Sequence, residues 1–98
     1  MLRTQHNAWL HALATLLVAI TGFSLEISAT EWCWIILAVV AVWSAEALNT
    51  AFEFLADVAQ PDFHPLVEKA KDVAAGAVLI AAIGATIIAT IIFLPKIV

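Results

Sequence analysis

The 98-residue chain is strongly apolar, because 64% of its residues are hydrophobic and only 12% are charged. Its mean hydropathy of +1.05 is typical of an integral membrane protein rather than a soluble domain. The formal net charge of −4 argues against nucleic acid as a partner, whereas a phosphate site needs only local lysines, backbone N–H groups or cations. The only cysteine, Cys33, excludes an internal disulfide. We therefore predict a single membrane domain over residues 1–98.

Three long apolar segments predict an all-α bundle of three membrane-spanning helices, at about residues 8–25, 32–57 and 73–94. His11, near the start of the first helix, suits the membrane interface. Residues 60–72 contain two prolines and several charged side chains, which predicts a polar loop. Three short helices bury little of their own surface, so we also predict self-association.

The cationic residues predict the orientation in the membrane. Arg3 precedes the first helix, Lys69 and Lys71 lie in the predicted loop, and Lys96 stands alone near the far end. Because cytoplasmic segments are enriched in Lys and Arg, we expect the N-terminus and the 60–72 loop in the cytoplasm. The C-terminus is then expected outside.

One face of the second helix carries polar side chains within an otherwise apolar sequence. Glu46, Asn49, Glu53 and Asp57 follow one another at helical spacing, which confines them to about 80° of the helix surface. We call these four residues the acidic stripe. Intramembrane carboxylates are costly and usually face a bundle interior, a cavity or a cation. The stripe therefore indicates an ion path, a metal site or a general base, or simply hydrogen bonds to neighbouring helices.

The expected depth of each polar side chain in the membrane indicates what it could do. Glu46 is expected deepest, where low-dielectric surroundings suit a base that accepts a proton from an alcohol. Glu53 and Asp57, one turn apart, suit Mg²⁺ bound together with substrate phosphates. Lys71 can meet a phosphate at the predicted start of the third helix, where backbone N–H groups favour an anion. Asp72 can cap this helix or help to position metal or water. Together these parts suit phosphoryl transfer.

Two stretches of the chain carry a family pattern. EALNTAFE runs from Glu46 to Glu53 and is followed by Asp57, and HPLVEKAKDVAAGAVL runs from His64 to Leu79. They resemble the small three-helix prokaryotic diacylglycerol kinase family, whose motifs cover roughly the last two thirds of the chain. The flanks GFSLEISATEW and IIFLPKIV are similar to the Gram-positive undecaprenol kinase branch of that family.

The resemblance implies a lipid kinase that transfers the γ-phosphoryl group of MgATP to the hydroxyl of a membrane lipid. The lipid is undecaprenol or diacylglycerol, and the sequence does not choose between them. The resemblance also implies a homotrimer with active sites shared between subunits, in the bacterial inner membrane.

By the same resemblance, Glu46 is the base that deprotonates the lipid hydroxyl, Asn49 helps to place the reacting phosphate, and Glu53 ligates Mg²⁺. The remaining matches, together with Glu53, are expected to line the nucleotide site: Gln5, Asp57, Asp62, Phe63, His64, Lys71 and Asp72.

Two features depart from the family pattern. Gln5 stands where the family commonly has a metal-binding Glu, in a stretch closed by His11, so we expect weaker metal binding unless Asp57 compensates. The family also carries an amphipathic surface helix upstream of this stretch, whereas Met1 stands just before Gln5. We therefore expect that the natural chain is longer, that lipid binding is altered, or that activity is lost. The alternatives to a lipid kinase are a small oligomeric ion- or proton-conducting protein and a catalytically impaired family member.

Overall fold

The computed structural model describes the backbone of residues 2–98 and the side chains of residues 8–98. This part of the chain forms three α-helices: α1, Leu2–Ser24; α2, Ala29–Ala59; and α3, Pro65–Ile97. Their short connections make consecutive helices antiparallel, in a bundle of 51 × 20 × 20 Å. Helix α2 packs most extensively against α3, whereas α1 has fewer contacts with either. The predicted all-α fold of three helices is confirmed.

Helix α3 begins at Pro65 rather than at residue 73. Pro65 and the residue before it, His64, start the helix instead of breaking it. Proline suits the first helical position, where its missing N–H is not needed. His64 caps the helix, since its Nδ1 accepts a hydrogen bond of 3.2 Å from the backbone N–H of Leu66. The predicted loop of residues 60–72 was therefore too long, and only residues 60–64 connect α2 to α3. The helix also continues through Pro95.

The other helices also begin earlier than predicted. Helix α1 starts at Leu2 rather than at residue 8, because the polar residues before Ala8 include no proline or glycine. Helix α2 starts at Ala29 rather than at residue 32. There the Ser28 hydroxyl accepts from the backbone N–H of Glu31 at 3.1 Å, and the Glu31 carboxylate accepts from the N–H of Ser28 at 2.9 Å. This reciprocal pair is a capping box.

Two of the helices are long and apolar enough to cross a membrane. These are α2 and α3, while the apolar part of α1, Ala8–Ser24, is shorter. Large apolar side chains point outward along the bundle, with Trp9 76%, Val58 83% and Ile80 73% exposed. Such a surface needs apolar surroundings.

The end of the bundle away from residues 60–64 holds its main apolar core. Ile27, Ile35, Ile92 and Phe93 are buried together, and Trp32 packs against them. An ion pair closes the same end, where the Lys96 Nζ lies 3.2 Å from the Glu31 Oε1. This end therefore joins the start of α2 to the end of α3.

Gly22 makes close packing possible between α1 and the indole of Trp32. A Cβ added to Gly22 would lie 2.6 Å from the Trp32 ring, whereas a Cβ on Gly84 would meet no atom within 4 Å. We expect Gly22→Ala to lower the free energy of unfolding by about 1–2 kcal/mol because the ring must move. Gly84→Ala, the matched control, should raise it by up to about 1 kcal/mol through helix propensity. Thermal unfolding in detergent measures both, and equal stability of the two variants would contradict the packing.

Candidate active site

The acidic stripe runs along α2 from a buried end to an exposed one. Glu46 is 4% exposed and Asn49 6% exposed. Glu53 is half-buried, and the Asp57 side chain is 66% exposed. Exposure therefore rises along the helix toward residues 60–64, so that the stripe leads from the bundle interior to its surface.

Burial leaves the polar atoms at the inner end of the stripe without hydrogen bonds. Both carboxylate oxygens of Glu46 and the amide oxygen of Asn49 are buried and accept no hydrogen bond from the residues whose side chains are described. Burying a carboxylate in this way is expensive, because its lost hydration is not replaced. The inner end of the stripe is thus suited to an external hydrogen-bond donor or cation.

His11 of α1 lies next to Glu46, with its Nε2 3.6 Å from the Glu46 Oε2. The Trp43 indole lies edge-on to the His11 imidazole, with 6.1 Å between the two ring centroids. The indole N–H donates a hydrogen bond of 3.0 Å to the Thr15 hydroxyl. From the sequence, His11 is expected either as a polar residue at the membrane interface or as a functional residue that closes the stretch around Gln5, and its position beside Glu46 is not predicted. The available signal was that a buried Glu46 needs a polar partner from another helix.

The middle of the stripe is joined by one hydrogen bond. The Asn49 Nδ2 donates to the Glu53 Oε1 at 3.0 Å, one helical turn away. This bond orients the Asn49 amide and leaves its oxygen as an acceptor beside the Glu53 carboxylate. Gln5, predicted to lie near the metal and nucleotide, falls outside the residues whose side chains are described.

Lys71 connects the outer end of the stripe to α3. Its Nζ lies 3.3 Å from the Asp57 Oδ1 and 3.8 Å from the Glu68 Oε2. The prediction that Lys71 and Asp72 lie at a helix start was wrong, because α3 already begins at Pro65. Asp72 therefore does not cap the helix, and an anion beside Lys71 cannot use the free backbone N–H groups of a first turn.

The residues between α2 and α3 are exposed, as expected for a turn at the surface. Asp62, Phe63 and His64 all lie open to solvent, and the His64 imidazole already caps α3. Among the residues described, no hydrogen bond or ion pair joins Asp62 or Asp72 to Glu46, Asn49 or Asp57. The structure thus brings together Glu46 with His11, Asn49 with Glu53, and Asp57 with Lys71.

A divalent metal fits the donors of the stripe, although residues 8–98 contain no group of three His, Cys, Asp or Glu side chains placed to bind one. Mg²⁺ is commonly held by only one or two carboxylates, with substrate phosphates and water as its other ligands. The unpaired Asn49 oxygen beside Glu53 is a hard donor of the kind that this ion prefers. The chemistry of these residues is therefore compatible with the predicted role of Glu53.

Comparison with known proteins assigns the chain to a family. The model of the prokaryotic diacylglycerol kinase family matches residues 1–93. The chain belongs to this family. It is 46% identical over 94 residues to the undecaprenol kinase of Bacillus subtilis, covering 96% of this chain and 76% of that protein. It is 37% identical over 93 residues to the diacylglycerol kinase of Synechocystis, covering 94% of this chain and 53% of that protein. No solved structure matches the chain.

The family confirms the resemblance drawn from the two motifs and settles the enzyme class. The chain is a phosphotransferase with an alcohol group as acceptor. Its apolar helices and its family together place it in a membrane. The roles of the individual site residues stay predictions.

The unpaired carboxylate of Glu46 should cost the protein stability. We expect Glu46→Gln to raise the free energy of unfolding by about 1 kcal/mol, because a neutral amide is less costly to bury than a carboxylate without donors. Glu53→Gln is the matched control and should bring no gain, since the Glu53 carboxylate already accepts a hydrogen bond from Asn49. Chemical unfolding in detergent measures both variants. A Glu46→Gln protein less stable than the wild type would show that burial of the carboxylate does not cost the protein stability.

Proposed function

We propose that this protein transfers the γ-phosphoryl group of MgATP to the hydroxyl of a membrane lipid. Undecaprenol is the first candidate, since the more similar of the two relatives is named an undecaprenol kinase. Diacylglycerol is the alternative, named for the more distant one. The observation that carries the proposal is the buried Glu46 carboxylate, which has no hydrogen bond among the described side chains and opens a polar stripe in an apolar helix.

Glu46 acts as the general base in this proposal. Its carboxylate accepts the proton of the lipid hydroxyl as the lipid oxygen bonds to the γ-phosphorus, and the bond from that phosphorus to the bridging oxygen of ADP breaks. The 4% exposure of Glu46 keeps bulk water from competing with the lipid as acceptor.

Asn49 and Glu53 orient the phosphate that is transferred. The hydrogen bond from the Asn49 amide to Glu53 holds both side chains on the same face as Glu46. Glu53 would hold Mg²⁺, with the Asn49 oxygen as a further donor. When bound, the metal neutralises charge on the phosphate oxygens.

Lys71 binds the nucleotide phosphates as a point charge from α3. Its contact with Asp57 places the ammonium group at the outer end of the stripe, where a polyphosphate extending from Glu53 would reach it. Asp72 and the exposed turn of Asp62, Phe63 and His64 are assigned to the rest of the nucleotide site. Gln5 is assigned to the same site.

The proposed setting is the bacterial inner membrane, with the N-terminus and residues 60–64 in the cytoplasm, where ATP is available. The distribution of Arg3, Lys69 and Lys71 supports this orientation. In it, α1 is the third spanning helix, because about 17 apolar residues approach the thickness of the hydrocarbon core. We also assign a homotrimer. The exposed apolar side chains on every helix are compatible with self-association, and the number of subunits follows the resemblance to the family.

A single-turnover assay with purified protein, labelled ATP and either lipid alcohol tests the activity. We expect label to enter undecaprenol faster than diacylglycerol, and Glu46→Ala to slow the transfer by about 10²–10⁴-fold, the usual worth of a general base. Glu26→Ala, at the opposite end of the bundle, is the matched control and should retain transfer. Undiminished transfer by Glu46→Ala would remove this residue from the mechanism. Ion flux through liposomes without ATP, and no labelled lipid, would favour a conducting protein instead.

Nucleotide binding is measured separately by thermal stabilisation with MgATP. We expect MgATP to raise the melting temperature of the wild type, and Glu53→Ala to abolish the part of the shift that depends on Mg²⁺, because a metal ligand is lost. Glu26→Ala should respond as the wild type does. A full Mg²⁺-dependent shift in Glu53→Ala would show that the metal is held elsewhere.

A further inference from the structure

The imidazole of His11 lies beside a carboxylate that has no other described donor. Its Nε2 is 3.6 Å from the Glu46 Oε2, a few tenths of an ångström beyond hydrogen-bond range. Both carboxylate oxygens are buried without a hydrogen bond among the described side chains. Catalytic hydrogen bonds are often long in ligand-free enzymes and shorten when substrate binds. A small rotation of either side chain is enough to form this one.

Contacts from both α1 and α2 hold His11 in this position. The Thr15 hydroxyl donates to the His11 carbonyl at 2.7 Å and accepts from the Trp43 indole at 3.0 Å. Trp43 also flanks the imidazole ring and precedes Glu46 by nearly one turn of α2. The imidazole therefore contacts the helix that carries the carboxylate through Trp43, while the Thr15 hydroxyl links the His11 backbone to the same indole.

The surroundings of His11 favour a specific hydrogen bond over a solvated surface contact. The His11 side chain is 17% exposed, and that of Glu46 is 6% exposed. His11 also lines an apolar groove of about 430 Å³ between the helices, together with Thr15, Thr86 and Thr90. The threonine hydroxyls donate to carbonyls of their own helices. Because both side chains are largely buried, an N–H donor on the carboxylate is worth more than at a surface.

We propose that His11 is a positioning residue for Glu46. Its Nε2–H donates to Oε2, which fixes the orientation of the carboxylate and leaves Oε1 to accept the proton of the substrate hydroxyl. The proposal rests on the lipid kinase activity proposed above and extends it to α1, the helix with the fewest packing contacts. A base held in one orientation spends less of its time in unproductive rotamers, so the chemical step is faster.

Two substitutions separate the hydrogen bond from the ring packing. His11→Phe keeps an aromatic ring against Trp43 and removes the donor, whereas His11→Gln provides an amide N–H that can reach the position of Nε2. We expect His11→Phe to lower kcat about 10- to 100-fold, with the KM for MgATP changed by less than about twofold. His11→Gln should recover most of the lost kcat. Leu13→Phe, at an exposed position of α1, is the control for a new phenylalanine in this helix and should retain the wild-type kcat.

Either of two results would overturn the positioning role while the kinase activity stands. In one, His11→Phe and Leu13→Phe turn over at the same rate as the wild type. In the other, His11→Gln is as slow as His11→Phe, which would assign the effect to packing against Trp43. A wild-type protein that phosphorylates neither alcohol would instead refute the proposed function itself.

The hydrogen bond is also measured without turnover or any change to His11. In protein labelled with ¹⁵N-histidine and saturated with the lipid alcohol but given no nucleotide, we expect Glu46→Ala to shift the Nε2 resonance of His11, because the acceptor of the hydrogen bond is lost. The His64 resonance is the internal reference and should stay in place, since His64 caps α3 outside this cluster. An unchanged His11 resonance would show that the imidazole does not bind the carboxylate.

Discussion

The burial of the Glu46 carboxylate is the constraint on which the candidate site depends. Nothing in the described bundle replaces its lost hydration with a hydrogen bond, and the cost of such a group is met by the packing of the remaining residues. A helix bundle that retains such a carboxylate gives up stability at a site prepared for chemistry. His11 and Asn49 are both close to this carboxylate, at the place where an external donor or cation would bind.

The packing of α2 against α3 connects the buried Glu46 to the exposed end of the bundle near residues 60–64. One ion pair, between Lys96 and Glu31, joins these helices at one end, and another, between Lys71 and Asp57, joins them at the other. The second pair brings a cation from α3 to the exposed end of a stripe that begins at a buried carboxylate. The α2–α3 pair thus spans the distance from the buried Glu46 carboxylate to the Lys71 ammonium group, while the loosely packed α1 contributes His11.

Periodicity and hydropathy predicted the helices and the stripe correctly, because both are properties of a single segment. The helix ends were predicted less well. Pro65 was taken to break a helix that it begins, and Ser28 with Glu31 forms a cap that extends α2. Because of these errors, Lys71 was predicted at the start of a helix, whereas it lies inside α3. The free backbone N–H groups that were expected to bind an anion beside Lys71 are therefore absent there. The pairing of His11 with Glu46 joins positions far apart in the chain, so no local pattern indicates it.

By itself the sequence determined the three apolar helices, the polar face of α2 and the family motifs, since each depends on residue types at short spacing. Only the tertiary structure decided which of these polar groups meet: His11 with Glu46, and Lys71 with Asp57. The reason is geometric. Helical spacing sets the face on which a side chain lies, whereas the rotation and axial offset of two packed helices decide what that face touches.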